Sequence, residues 1–236
     1  MAYKKRNDGR KFEECRPIEA KAGIIKNATG SAMFRIGKTV AYAAVYGPRE
    51  MFPRFMKDPT KGVLRCHYTM MPFSGMGERI RPGQNRRAKE ISLVTKQALA
   101  EVVDLSEFPN AAIDVFVEVP EADAGTRCAG ISAAAIALAD AGIPMKEMIS
   151  AVAVGRVSDS LAVDLDYSEE AHEEGAADIP VAFTSRGGKV SLLQMDGDLT
   201  REQLKSALEM GKKACEDIYK VQVAAIKARY EVKNDK

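Results

Sequence analysis

Residues 124–144 read Ala-Gly-Thr-Arg-Cys-Ala-Gly-Ile-Ser-Ala-Ala-Ala-Ile-Ala-Leu-Ala-Asp-Ala-Gly-Ile-Pro. Small side chains on every face, with Gly125 and Gly130 among them, suggest a helix over 124–141 packed closely against a sheet. Gly142-Ile143-Pro144 ends it. Upstream, strand-like segments at 18–26 and 31–36 flank the turn-like Asn27-Ala28-Thr29-Gly30, and 39–46 follows after Gly37, as in a meander. A basic loop with three prolines is expected over 47–62, then a strand over 63–73 and a loop over 74–83. Residues 84–103 are helical by period, with Ala88, Ile91, Thr95, Ala98 and Val102 on one face. Residues 111–119 alternate like a half-buried strand. Beyond the Ala-rich helix, strands are expected at 149–157, 161–165, 179–183 and 190–195. Thr200 and Gln203 form a capping box that opens a long last helix striped with Leu204, Leu208, Cys215, Ile218 and Val221. The order lacks the regular β-α alternation of a doubly wound sheet, so the class is α+β.

A chain of 236 residues, 46% of them apolar, can bury a substantial core. The four cysteines, Cys15, Cys66, Cys128 and Cys215, form no C-x-x-C pair, which argues against a zinc site or disulfide framework and for a reducing compartment. The polar N-terminus does not resemble a signal peptide, and no apolar run reaches the roughly 20 residues that span a bilayer. A cytoplasmic protein with no membrane partner is expected. Net charge is only +2, but residues 49–89 hold ten Lys or Arg against three acids, while residues 164–178 hold seven acids and no base. The basic stretch suits a localised polyanion track or a solvated loop surface.

Four constellations could carry chemistry. Arg86 and Arg87 stand after Asn85 at the start of a helix, where cations oppose the dipole and an anionic ligand would offset that cost. The alternative is a surface arginine pair. Gly125-Thr126-Arg127-Cys128 opens the Ala-rich helix with free amides, a hydroxyl and a fixed charge, as a phosphate cradle or as a plain capped helix. Asp178, at the end of the acidic run, could donate a proton if burial raises its pKa, or could hold hydrated Mg²⁺. In 65–68, alternation puts Arg65 and His67 on one face and Cys66 and Tyr68 on the other. Arg65 and His67 suit RNA phosphates, while Tyr68 either stacks on a base or packs in the core.

Seven segments occur in order: Asp8-Gly9-Arg10, Glu14-x-Arg16-Pro17-Ile18, Gly30-Ser31-Ala32, Tyr46-Gly47-Pro48-Arg49-Glu50, Asn85-Arg86-Arg87, Gly125-Thr126-Arg127 and Ala177-Asp178-Ile179-Pro180-Val181-Ala182. Together they resemble the RNase PH family, most closely its archaeal exosome branch, over residues 6–228. The resemblance implies a single RNase PH-like domain over 1–236, with a flexible segment at about 1–8 and a charged tail at about 230–236. Two β-α halves with mixed sheets and packed helices would form it, and six such domains would make a ring. It also implies phosphorolysis, in which inorganic phosphate as co-substrate attacks the last phosphodiester of RNA and releases a nucleoside diphosphate. The reverse reaction would add 3′ tails. On that resemblance Arg86 and Arg87 hold the RNA end, and Gly125, Thr126, Arg127 and Cys128 bind the attacking phosphate. Asp178 is the catalytic carboxylate or a metal ligand, and Arg65, His67 and Tyr68 contact incoming RNA. The implied partners are RNA, a homologous non-catalytic subunit in a hexameric trimer of heterodimers, and RNA-binding cap subunits. His172 stands where polynucleotide phosphorylases carry a second carboxylate, which leaves Glu173, Glu174 or Asp166 as substitutes and puts a tightly held Mg²⁺ in question.

Three other readings compete. A non-catalytic ring subunit would lack the pattern that Arg86, Arg87, Arg127 and Asp178 supply. A homohexameric tRNA 3′-trimming enzyme shares the fold and chemistry. A small-molecule kinase would need a longer Gly/Ser-rich phosphate loop.

Overall fold

The computed structural model describes residues 3, 5–77, 79–83, 85–172 and 175–231. Its first sheet contains β1 (Ile18–Ala22), β2 (Gly30–Ile36), β3 (Thr39–Glu50), β4 (Val63–Met70) and β5 (Ala111–Glu121), in spatial order β1-β2-β3-β5-β4. All neighbours are antiparallel except β4 and β5, which run parallel with α1 (Arg86–Ala100) in the crossover between them. The second sheet is antiparallel, in order β7-β6-β8-β9, from β6 (Ile149–Val157), β7 (Ser160–Val163), β8 (Ala176–Thr184) and β9 (Val190–Leu193). Three further helices are α2 (Thr126–Asp140), the single-turn α3 (Tyr167–Glu170) and α4 (Arg201–Tyr230). The arrangement is the expected mixed α+β fold.

The Ala-rich segment is the keystone. Helix α2 packs on β2, β3 and β5 of the first sheet and on β6 and β8 of the second. Thirteen of its fifteen residues are buried, so it has no polar face to show water. Small residues are required by that position: a Cβ on Gly130 would come within 3.0 Å of Val117 on β5. One continuous apolar cluster therefore runs from Phe34 and Val115 through Ile131 and Ile136 to Val152 and Val181. On the far side of the second sheet, α4 packs against β6, β7 and β8 and also reaches β1.

The structure differs from expectation in several places. Strand β1 stops at Ala22, because Gly23 turns the chain with a φ of +71°. Strand β3 continues to Glu50 by pairing Arg49 and Glu50 with Ala112 and Ala111, so the long loop begins later and includes a 3-10 turn at Arg54–Met56. Within the acidic run, where no helix is expected, Asp166 and Glu169 form a capping box that opens α3. The N-terminal segment is not loose where it is described. Arg6 is buried and donates to both carboxylate oxygens of Glu169, at 2.8 and 2.6 Å, and to the carbonyls of Val163 and Asp164. The charged tail falls mostly outside the described residues, and α4 ends at Tyr230.

A second buried arginine ties three segments together. Arg16 is 5% exposed; its Nε and Nη2 donate to the two carboxylate oxygens of Asp164 at 2.8 and 2.7 Å, and its Nη1 to the Asp123 carbonyl. Asp123 lies just before the mouth of α2, and Asp164 just before α3. Cutting such a pair from one side leaves a buried charge uncompensated. Arg16→Met should therefore lower unfolding free energy by about 3–5 kcal/mol, read as a drop in urea midpoint with unchanged slope.

Candidate active site

One cleft gathers five of the ten site residues singled out from the sequence: Arg87, Gly125, Thr126, Arg127 and Asp178 line it, with Glu90, Glu170, Gln194 and Asp196. Its floor is the N-terminus of α2. Ala124 and Gly125 both take the left-handed conformation, with φ values of 61° and 62°, and so swing the chain from β5 into the helix. For alanine this conformation is costly and is held by its surroundings. The Thr39 hydroxyl donates to the Ala124 carbonyl at 2.7 Å and accepts from the Asp123 amide at 2.9 Å. Gly125 caps α2 without a side-chain hydrogen bond, so the first-turn amides keep their capacity for an anion.

Arg127 is held in place from two sides. Its Nη1 donates to the Gln194 side-chain oxygen, and its Nη2 lies 3.6 Å from Glu90 on α1. Gln194 in turn donates to Glu90 at 2.7 Å, closing the network. Arg87 and Arg86 follow Asn85, whose side chain accepts from the Ala88 amide at 2.8 Å and starts α1. The structure separates the two arginines: both are exposed, but only Arg87 lines the cleft.

Asp178 sits on β8, its Cα opposite Gly155 of β6. A Cβ on Gly155 would collide with the Ala177 carbonyl at 2.0 Å, so the glycine lets β8 bring Asp178 to the cleft. Backbone bonds to Asp196 at 2.8 and 2.9 Å fix the Asp178 main chain. Burial raises the Asp178 pKa to about 6; Arg127 and Arg87 oppose the rise and the Asp196 carboxylate adds to it. Glu170, at the end of α3, is pushed to about 7 by burial and by the charge of Asp178, against the Gly125 amide, Arg87 and Arg16.

At this place the buried Oδ1 of Asp178 has no hydrogen-bond partner, and the buried hydroxyls of Thr126 and Tyr68 have at most each other. Buried polar atoms are almost always paired, so a cluster of such under-paired atoms around one cleft is the mark of a ligand site. The charges beside it, Arg87 and Arg127, select an anion.

The remaining sequence candidates do not line this cleft. Arg65 is engaged in a two-point ion pair with Asp114, at 2.6 and 2.7 Å, and His67 stacks on Phe116 with ring centroids 5.0 Å apart. Tyr68 is 2% exposed and packs in the core, with an edge lining the pocket beside the cleft. Cys128 is buried and its thiol is driven well above the usual range, so only its backbone can meet a ligand. His172 makes an edge contact with the Tyr3 ring at 5.4 Å. Among the described residues no three His, Cys, Asp or Glu side chains come together to hold a metal ion. Glu173 and Glu174 lie outside those residues. Glu90, Glu170, Gln194 and Asp196 were not legible as site residues, because only the tertiary fold brings their segments to the mouth of α2.

The model of the 3′ exoribonuclease family, domain 1, matches residues 14–144, and that of domain 2 matches residues 147–214. The chain belongs to the RNase PH family of 3′ exoribonucleases. Among its relatives within this family is the exosome complex component Rrp41 of Archaeoglobus fulgidus, 50% identical over 95% of this chain and 87% of the relative. The Methanopyrus kandleri protein of the same name is 48% identical over 95% of this chain and 93% of the relative. The crystal structure of rice Rrp46 superposes with a TM-score of 0.82 at 25% identity, covering 94% of this chain and all of that one. The RNase PH-like fold is thereby established, and no helix among the described residues is long and apolar enough to cross a membrane.

The raised pKa of Asp178 has a consequence for stability. A carboxyl whose folded pKa exceeds its unfolded value favours folding fully only below the unfolded value, and that contribution is lost as pH rises through the folded one. For Asp178 the window runs from the ordinary 3.8 to about 6. Asp178→Asn should therefore be more stable than the parent above pH 6 by about 1–2 kcal/mol, discounted for partial exposure. Thermal melts should show the gap closing toward pH 4.

Proposed function

We propose that the chain is the phosphorolytic, catalytic subunit of an archaeal-type exosome ring, shortening RNA from its 3′ end. The observation that carries this reading is the uncapped α2 N-terminus, which faces Asp178 across a cleft edged by Arg87 and Arg127. Inorganic phosphate as co-substrate would sit on the amides of 125–128, the Thr126 hydroxyl and Arg127. Arg87 would hold the phosphodiester of the terminal nucleotide, with Arg86 engaging RNA outside the cleft.

A phosphate oxygen attacks the phosphorus of the terminal phosphodiester. The bond from phosphorus to the 3′-oxygen of the preceding nucleotide breaks, giving a nucleoside diphosphate and RNA shorter by one residue. Nucleophile and target are both anionic, so fixed guanidinium groups and the helix dipole lower their repulsion and stabilise the charge of the transition state. Asp178, protonated in part because burial holds its pKa near 6, gives its proton to the leaving 3′-oxygen. No covalent enzyme intermediate is needed. The chain exchanges one phosphate bond for another, so the same groups run the reaction backward and extend 3′ ends from diphosphates.

The archaeal relatives are named as exosome complex components, which supports assembly with other subunits; the arrangement we propose is a trimer of heterodimers with a homologous, non-catalytic subunit and RNA-binding caps, in the cytoplasm. Continuity of the core across both sheets supports one domain over residues 1–236. Charges on β4 and in the loop before it would guide RNA toward the cleft, with Arg65 and His67 on the exposed side of the strand.

Incubation of the assembled protein with oligoadenylate should release ADP only when phosphate is present. Asp178→Asn should abolish release, and Arg127→Glu should weaken it by at least about 100-fold, the scale of losing a preorganised transition-state contact. AMP release without phosphate would identify a hydrolase instead.

A further inference from the structure

The polar cleft continues into a second, largely apolar pocket walled by Tyr68, Met70, Met76, Ile80, Ala122 and Tyr167. Three residues line both spaces: Arg87, Thr126 and Glu170. A nucleotide is divided in the same way. Its phosphate is charged, its base is a flat and largely apolar ring, and the ribose between them carries vicinal hydroxyls. A nucleotide with its phosphate against Arg87 and Thr126 and its base among Tyr68, Met70 and Ile80 brings its sugar to Glu170.

The fold holds Glu170 for such a task. Its neighbour Glu169 points inward, clamped by buried Arg6 and closing the capping box of α3. That anchor leaves Glu170, at the last position of the turn, to face the junction of the two pockets. The groups around it are the Gly125 amide, Asp178 of β8, Arg87 of α1 and Arg16 of the N-terminal segment. Above the value near 7 to which burial raises it, Glu170 is an ionised carboxylate with two acceptor oxygens and no donor, which complements a pair of sugar hydroxyls and repels a phosphate in their place.

We propose that Glu170 reads the 2′- and 3′-hydroxyls of the terminal ribose, making the site selective for ribonucleotide ends with a free 3′-hydroxyl. The 2′-hydroxyl is the group by which a protein distinguishes RNA from DNA at one position. This inference rests on the phosphorolytic reading of the cleft, and its test separates the two.

Labelled four-residue oligoadenylates ending in a ribonucleotide, a 2′-deoxynucleotide or a 3′-phosphate would be titrated by fluorescence anisotropy, without inorganic phosphate, against the ring assembled from the full chain. The wild type should bind the ribonucleotide end about 10- to 100-fold more tightly than the deoxy end, the range for hydrogen bonds to a charged group. Glu170→Ala should cut that ratio to about threefold or less by weakening only the ribonucleotide end. Glu170→Gln, which keeps the shape and loses the charge, should admit the 3′-phosphate end better than the wild type does. An unchanged ratio in Glu170→Ala overturns the proposal, and so does equal weakening of both ends, which a merely structural role would give. Phosphate-dependent ADP release by the wild type is measured alongside. Its absence with the ratio behaving as expected defeats the phosphorolytic reading alone. Its presence with an unchanged ratio in Glu170→Ala defeats only the ribose reading.

Discussion

The Arg16 guanidinium, buried between Asp164 and Asp123, is the interaction on which the site depends. It draws the N-terminal segment across the seam between the two sheets. It also fixes the chain on either side of the cleft, before the α2 mouth and before α3. A buried ion pair is not in itself a large source of stability, because desolvation offsets most of the attraction. Its value here is geometric: two backbone segments far apart in sequence are held in one relation by a planar, two-point contact. Arg6 repeats the device one turn further along by clamping Glu169. With both arginines in place, the left-handed pair at Ala124 and Gly125 can be sustained and the amides of α2 face one cleft.

Within that frame the cleft balances opposite charges at close range. Arg87 and Arg127 make it receptive to phosphate, while burial and the nearby Asp196 carboxylate keep the Asp178 proton from leaving easily. These demands conflict, since each cation lowers the pKa that burial raises. Desolvation is the larger effect, and the carboxyl stays in a range useful for proton transfer near neutral pH. The arrangement carries unpaired polar atoms and an expensive charge, the usual cost of a functional site in a fold that is otherwise consistent at every level.

Much of this was legible in the sequence, for identifiable reasons. The Ala-rich run with its two glycines suggests a helix packed closely against a sheet, and α2 is one. The Thr200–Gln203 capping box and the period of α1 depend on residues three or four apart, so local reasoning finds them. The alternation of β4 puts Arg65 and His67 on one face and Cys66 and Tyr68 on the other, and the structure buries the second pair. It did not decide whether Tyr68 met RNA or the core; the structure buries its ring and leaves an edge on the pocket beside the cleft. Arg86 and Arg87 look equivalent in sequence, and the helix phase that sends one into the cleft becomes visible once the cleft exists. The sites missed, Glu170 and Gln194, come from an acidic run and a strand end with no local signature. Their roles arise from contacts across more than sixty residues, such as that of Gln194 with Arg127.

The central claim is that a phosphate seats on the N-terminus of α2, between Arg127 and Asp178. A crystal structure of the assembled protein soaked with tungstate, a heavy tetrahedral oxyanion, tests it most directly through anomalous scattering. The account predicts a peak within hydrogen-bond distance of the Thr126 hydroxyl and the 125–128 amides, with the Arg127 guanidinium alongside. A peak confined to the exposed arginines at 79, 81 and 86, with none at the helix mouth, would contradict it.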